Sequence, residues 1–299
     1  MPTKPAIAWF KQNFGEEIKA AAKGTPFDLD MLTAIACQET GHIWSRLRTL
    51  GLPRERIVEL CIGDTLDRTK TFPKNRADLE SWPRGDEMFA IARAALLDLA
   101  VYFDDFKPAA RNPNKFCKGY GVFQYDLQYF KIDPDYFLER RYTRFDETLA
   151  HCLSELNSKL KVLGWRGKPS LTDLEKAAVA IAYNTGGYKP ALGLKQGYKN
   201  SEGKYYGELF FDYLQLAKSV PMPVPPPPPM LDYKVKTAGG TLNVRAAASP
   251  TATVKDQLPN GHPVKVFPGA ATAGFLHVQA VLGGKAIDGW CSATFLIKA

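Results

Sequence analysis

Three short segments of this 299-residue chain carry side chains that could act together on a polar substrate. The first is Ala34-Ile-Ala-Cys-Gln-Glu-Thr-Gly-His-Ile43, where Glu39 ends a mostly apolar helical stretch beside the helix-stopping Gly41. A carboxyl against apolar surface is partly desolvated, which disfavours its charged form and raises its pKa. Such a group holds a proton near neutral pH and can deliver it as a general acid. The second segment is Gly119-Tyr-Gly-Val-Phe-Gln-Tyr125. Two glycines around an aromatic make a tight turn where backbone can approach a ligand, and Gln124 then presents an amide. The third is Ala180-Ile-Ala-Tyr-Asn-Thr-Gly-Gly187, in which Tyr183 and Asn184 finish a buried helix with their polar tips facing outward. Each has a plain structural reading when taken singly: a solvated surface Glu, a loop entering a helix, and a C-cap that uses Asn and Gly for left-handed backbone. His42, at the helix end, reads as structural.

Together, and in this order, Gln-Glu-Thr-Gly, Gly-Tyr-Gly-Val-Phe-Gln and Ala-Tyr-Asn-Thr-Gly resemble the motifs of the soluble lytic transglycosylase and goose-type lysozyme superfamily. That family shows Glu-Ser-Gly, Gly-x-Gly-Leu-x-Gln and Ala-Tyr-Asn-x-Gly, and the resemblance spans roughly residues 15–215. It implies a mainly helical, lysozyme-like domain that cleaves the bond between N-acetylmuramic acid and N-acetylglucosamine in peptidoglycan. Glu39 would be the general acid. Gln124 would line the sugar site with Tyr120, Gly121 and Phe123, Tyr183 would hydrogen-bond near the acid, and Asn184 would hold an acetamido group. The chemistry needs no cofactor and no metal. One departure stands out: about 79 residues separate Glu39 from Gly119, more than is usual in the family.

That insert bears on mechanism, because it supplies Glu59-Leu-Cys-Ile-Gly-Asp-Thr-Leu-Asp67. In a lytic transglycosylase the same Glu that protonates the glycosidic oxygen takes a proton from the muramic 6-hydroxyl, giving an anhydro product. In an inverting hydrolase a second carboxylate, roughly 6.5–9.5 Å away, activates water. Asp64, ahead of Asp67, is the candidate for that role, with a solvated loop or helix cap as the plain reading of both. Aromatic residues are dense nearby (Tyr120, Phe123, Tyr125, Tyr129, Phe130, Tyr136 and Phe137), and most of them read as core or groove wall.

The elements that must position these groups are visible in the periodicity. Apolar residues recur at helical spacing over 28–40, 86–103 and 144–163, and Thr172 with Glu175 forms a capping box before the run 177–183. Gly186-Gly187 stops that last helix. The run Pro221-Met-Pro-Val-Pro-Pro-Pro-Pro-Pro-Met230 reads as an extended polyproline spacer. Beyond it, strands are expected at 233–236, 242–245, 264–267, 276–281 and 289–295, a small barrel of five or so strands. Thr241-Leu-Asn-Val-Arg-Ala-Ala-Ala-Ser-Pro250 and Gly289-Trp-Cys-Ser-Ala-Thr-Phe-Leu296 resemble the two ends of a bacterial SH3 domain, a module that commonly attaches hydrolases to cell wall. Cys291 then reads as a small core residue, and Trp290 as core or as a ligand platform. The expected fold is α+β and multidomain: a lysozyme-like domain over 1–219, a Pro-rich linker over 220–231 and an SH3-like β-barrel over 232–299.

The chain carries a net charge of +8, and residues 232–299 hold seven Lys/Arg against three Asp/Glu. A basic surface suits polyanions; with the motifs, the expected partner is peptidoglycan rather than nucleic acid. No apolar run approaches the ~20 residues that cross a bilayer, so no membrane insertion is expected. The N-terminus lacks a secretory apolar stretch. The expectation is synthesis in the cytoplasm and action on a target cell's wall after specialised export, as an antibacterial toxin with a matching inhibitor protein. The competing settings are a phage endolysin of the same chemistry, a non-catalytic wall-binding protein on a degenerate lysozyme fold, and a chitin-active hydrolase. Five cysteines with no CxxC or Cys/His spacing indicate no metal. They read as buried free thiols, with a post-export disulfide involving Cys61 or Cys117 as the alternative.

Overall fold

The computed structural model describes residues 2–222 and 229–299, which form two compact units. The first is helical, and the second is a curled antiparallel β half-barrel. The central part of the expected proline spacer, residues 223–228, lies outside the described residues. Val220 is buried and Met222 lies against Gly15, so the helical unit reaches through residue 222 rather than ending at 219.

Ten α-helices in the described residues build the first unit: α1 (Lys4–Ala22), α2 (Leu29–Leu47), α3 (Arg54–Glu59), α4 (Arg76–Glu80), α5 (Gly85–Tyr102), α6 (Lys107–Arg111), α7 (Pro134–Leu138), α8 (Phe145–Val162), α9 (Asp173–Thr185) and α10 (Tyr206–Lys218). A three-stranded antiparallel sheet sits among them: β1 (Ile62–Gly63), β2 (Gly119–Tyr120) and β3 (Tyr125–Asp126), with Gly63 opposite Gly119 and Tyr120 opposite Tyr125. Helix α2 begins where the carboxylate of Asp28 accepts from the Met31 amide at 2.9 Å. It does not stop at Gly41 as expected but continues to Leu47. Gly41 serves close packing instead: a Cβ there would stand 2.5 Å from the Pro2 ring. Glu39 therefore sits inside a helix rather than at its end. The capping box of Thr172 and Glu175 opens α9, and Gly186 closes it in the left-handed conformation.

The core joins α1, α2 and α8 through rings: Phe10 meets Trp44 at 5.0 Å between centroids, and Phe14 stacks on Phe145 at 4.2 Å. Offset aromatic packing of this kind adds to the area buried. One polar group ties the same bundle together. Lys11, on α1, is buried, and its ammonium donates to Asp30 of α2 at 2.5 Å and to the carbonyls of Ala217 and Val220 at 2.8 and 2.6 Å.

The second unit contains β4 (Leu231–Val235), β5 (Thr241–Arg245), β6 (Val254–Pro259), β7 (Pro263–Thr272), β8 (Phe275–Leu282), β9 (Lys285–Ser292) and β10 (Leu296–Lys298). Their order is β10-β4-β7-β8-β9-β5-β6, seven strands where five or so were expected. Of the two missed strands, β10 is only three residues long, and β6 (Val-Lys-Asp-Gln-Leu-Pro) is too polar to signal itself. Val244, Leu258, Val278 and Cys291 fill the interior. Trp290 does not join them: it is half-buried and stacks on His277 at 4.9 Å, which stacks on Phe267 at 4.5 Å.

Lys11→Met removes the charge that satisfies three buried or part-buried acceptors. It is expected to cost about 2–3 kcal/mol in urea unfolding.

Candidate functional site

The three chemically suggestive segments meet around one groove, and hydrogen bonds between them set its shape. The Thr40 hydroxyl, one residue past Glu39, donates to the Val122 carbonyl at 2.6 Å. The Tyr183 hydroxyl donates to the Phe123 carbonyl at 2.7 Å. The loop between β2 and β3 thus hangs from α2 on one side and α9 on the other. The groove has a volume of about 470 Å³, and Glu39, Gln124, Tyr183 and Asn184 all line it.

Glu39 is half-buried at the groove's inner wall. Its Oε1 accepts a 2.7 Å hydrogen bond from the hydroxyl of Tyr206, the first residue of α10. Burial pushes the carboxyl up to about 7, against a smaller lowering by that hydrogen bond. Tyr183 was expected to bond near the acid; it stands close by, but its hydroxyl is committed to Phe123, and Tyr206 supplies the contact. Tyr206 escaped the sequence reading although a signal existed. Residues 206, 210, 213, 214 and 217 mark one face of a helix, and a buried tyrosine on it must find a partner for its hydroxyl.

Gln124 has φ +56°, a conformation that costs a residue with a Cβ of order 1–3 kcal/mol. Its amide nitrogen donates to the carbonyls of Gly121 at 2.9 Å and Cys61 at 3.3 Å, binding the loop to the chain before β1. A Cβ on Gly119 would overlap the Gln124 amide oxygen, so that glycine makes room for the side chain. Gly121 is required for a different reason, its φ of +79° against Thr148.

Tyr120 and Phe123 do not reach the groove. Both are fully buried: the Tyr120 hydroxyl donates to the Cys117 carbonyl at 2.8 Å, and the Phe123 ring packs near Phe145. Gly121, the first residue of the loop, is likewise buried. The apolar loop residues turn inward because the loop is pinned against the core on both sides. Tyr125 and Tyr129, stacked on each other at 4.8 Å, supply the aromatic wall instead. His42, read as structural, is exposed on the groove wall.

The long insert contributes β1 and, directly after it, Asp64, which also lines the groove. Asp64 adopts φ +50°, accepts from the Leu66 amide at 3.0 Å and pairs with Arg68 at 2.7 Å. Arg68 also grips both oxygens of Asp126, at 2.8 and 2.5 Å. Asp67 does not line the groove; it pairs with Lys115 at 3.0 Å. Asp126 and Glu155 line the groove and were not anticipated. Glu155 pairs with Lys159 at 2.5 Å, so Glu39 is the groove carboxyl without a cation partner among the described residues. Lys118, fully buried, donates to the Leu66 carbonyl and holds the Asp64-bearing segment in place.

All five cysteines are buried free thiols, which replaces the alternative of a disulfide at Cys61 or Cys117. Among the described residues no group of three His, Cys, Asp or Glu could hold a metal ion, and no helix is long and apolar enough to cross a membrane. No family model, no curated protein and no solved structure matches this chain.

The raised carboxyl has a thermodynamic signature. Below pH 4.5 Glu39 is protonated in both states and costs nothing. Between about 4.5 and 7 the unfolded chain ionises it while the fold retains the proton, so stability falls with rising pH and levels off above about 7. Glu39→Gln is expected to melt above the parent at pH above 7 and level with it at pH below 4.5, by calorimetry. A gap independent of pH would show that the carboxyl is not desolvated.

Proposed function

We propose that this protein cleaves the glycan strands of peptidoglycan, with Glu39 donating its proton to the oxygen of the N-acetylmuramic acid–N-acetylglucosamine bond. The observation that carries the reading is a carboxyl held near pH 7 by burial, inside a groove, with a tyrosine fixing its orientation. A general acid works best when its pKa lies near the working pH, because it then holds a proton and still releases it readily. The other groove carboxylates are paired with Arg68 or Lys159, whereas Glu39 has no cation partner among the described residues.

Positive charge grows on the sugar ring as the bond breaks, and the Asp64–Arg68–Asp126 cluster brings two carboxylates against one guanidinium to the groove. Asp64 is the proposed base if water is the acceptor. If the muramic 6-hydroxyl is the acceptor, Glu39 serves as acid and then base, and Asp64 is dispensable. Asn184, exposed and lining the groove, is proposed to hold an acetamido group.

The C-terminal half-barrel is proposed to be an SH3-like module that attaches the enzyme to cell wall. In support, its two motif segments are neighbours in the sheet: Arg245 of β5 pairs with Trp290 of β9.

Digestion of purified sacculi tests the reading. The wild-type chain is expected to release fragments, and Glu39→Gln to lose activity by at least roughly 100-fold, the usual worth of a general acid. Sacculi left intact by both would refute it. Mass spectrometry of the fragments separates anhydro ends from reducing ends, and with reducing ends Asp64→Asn is expected to be inactive too. The rate should fall as pH rises through about 7, where Glu39 gives up its proton. Tyr206→Phe, which removes a bond that lowers the Glu39 pKa, should move that fall to higher pH.

A further inference from the structure

Beyond Asn184 the chain enters a loop, residues 186–205, that is heavily ordered for a surface segment. Its centre is Gln196, buried to 8% exposure. The Gln196 amide oxygen accepts from the Lys189 amide at 2.8 Å, and its nitrogen donates to the carbonyls of Lys189 and Gly193 at 2.9 and 2.7 Å. Gly197, at φ +84°, lets the backbone pass against Tyr206 and the Asn184 side chain, where a Cβ would clash. The Gly207 amide then donates to the Gln196 carbonyl at 3.1 Å.

This framework holds one ring in open solvent. Tyr198 is 73% exposed, yet its backbone is fixed on both sides by the candidate site. Its amide donates to the Asn184 side-chain oxygen at 3.5 Å, and its carbonyl accepts at 2.8 Å from the amide of Tyr206, the residue bonded to Glu39. Leu192, on the same loop, is 51% exposed. Lys189, Lys195 and Lys199 are exposed, and among the described residues none of them has an ion-pair partner. Ordering a loop costs about 1–2 kcal/mol per residue in backbone entropy. The exposed Tyr198 ring adds little to the core, whereas a ligand arriving there would find the ordering cost already met.

We propose that this loop is a glycan-binding subsite that extends the groove past Asn184, with the Tyr198 ring stacking on the apolar face of a sugar and the three lysines favouring strands that carry carboxylates. The proposal rests on the glycan-cleaving reading of Glu39 and adds to it where the strand lies. Contact between a sugar and an aromatic ring is made in the ground state and kept in the transition state. Its loss therefore raises KM more than it lowers kcat.

The test is steady-state kinetics of the full chain on soluble peptidoglycan strands. Tyr198→Ala is expected to raise KM by roughly five- to tenfold, the scale of one aromatic contact, with kcat within about twofold. Tyr198→Phe should restore the parent KM, since stacking needs the ring and not the hydroxyl. The melting temperature of Tyr198→Ala should match the parent, because an exposed ring contributes little to the core. KM should rise with ionic strength as the lysines are screened. An unchanged KM in Tyr198→Ala overturns the subsite, as does a loss of kcat accompanied by a lower melting temperature. Failure of Tyr198→Phe to recover overturns stacking, and a salt-independent KM removes the lysines. A wild-type chain that cleaves no strands refutes the underlying reading, a result distinct from all of these, and the subsite falls with it.

Discussion

Keeping the Glu39 carboxyl partly out of water is costly, and much of the helical unit is arranged around that cost. A lone buried acid is stabilised chiefly by keeping its proton, and burial does this here, raising the group to about 7. The Tyr206 hydroxyl fixes the carboxyl's direction without neutralising it as a cation would. Packing of α10 against α2 brings the tyrosine to the acid. The buried ammonium of Lys11, on Asp30 and on two carbonyls at the end of α10, fastens those same elements together. Thr40 and Tyr183 then hang the β2–β3 loop over the acid, which closes one wall of the groove. Each of these contacts joins parts of the chain far apart in sequence, so the site exists only in the assembled unit.

Much of this was legible in the residues. Helical periodicity located α5 and α8 to within a few residues and found α9 and the start of α2, because each has an apolar stripe and α9 has a complete capping box, but it ended α2 near residue 40 rather than at Leu47. The convergence of Glu39, Gln124, Tyr183 and Asn184 on one groove was likewise foreseeable from the three motifs. What sequence could not supply was the direction of each side chain. Tyr120 and Phe123 look like sugar platforms but point into the core, while Tyr125 and Tyr129 face the groove. The difference lies in the turn, which Gln124 enters in the left-handed conformation and which no local propensity reveals. Gly41 misled in the same way: read as a helix stop, it is an interior residue whose missing Cβ admits Pro2. The sequence puts Asp64 ahead of Asp67, and the fold gives Asp67 to Lys115 and Asp64 to the groove.

The insert between the first two motifs shows how added chain can become part of a site. It contributes β1 to the small sheet and places Asp64 just beyond it, where Arg68 gathers Asp64 and Asp126. The buried Lys118, donating to the Leu66 carbonyl, anchors that stretch from beneath. A charge in such a position is tolerated only where carbonyls and carboxylates surround it, so the insert and the β2 segment depend on each other for their conformation.

The five cysteine sulfurs are unoxidised. No crosslink joins them, so the fold is held by packing and hydrogen bonds alone. Cys37 lies on α2, two residues before Glu39, and burial pushes its thiol well above the usual range. A maleimide or similar reagent therefore reaches it only when the helical interior opens. The sulfur that contributes nothing to the proposed chemistry thus reports, by its rate of modification, how often the dry surroundings of the acid are breached.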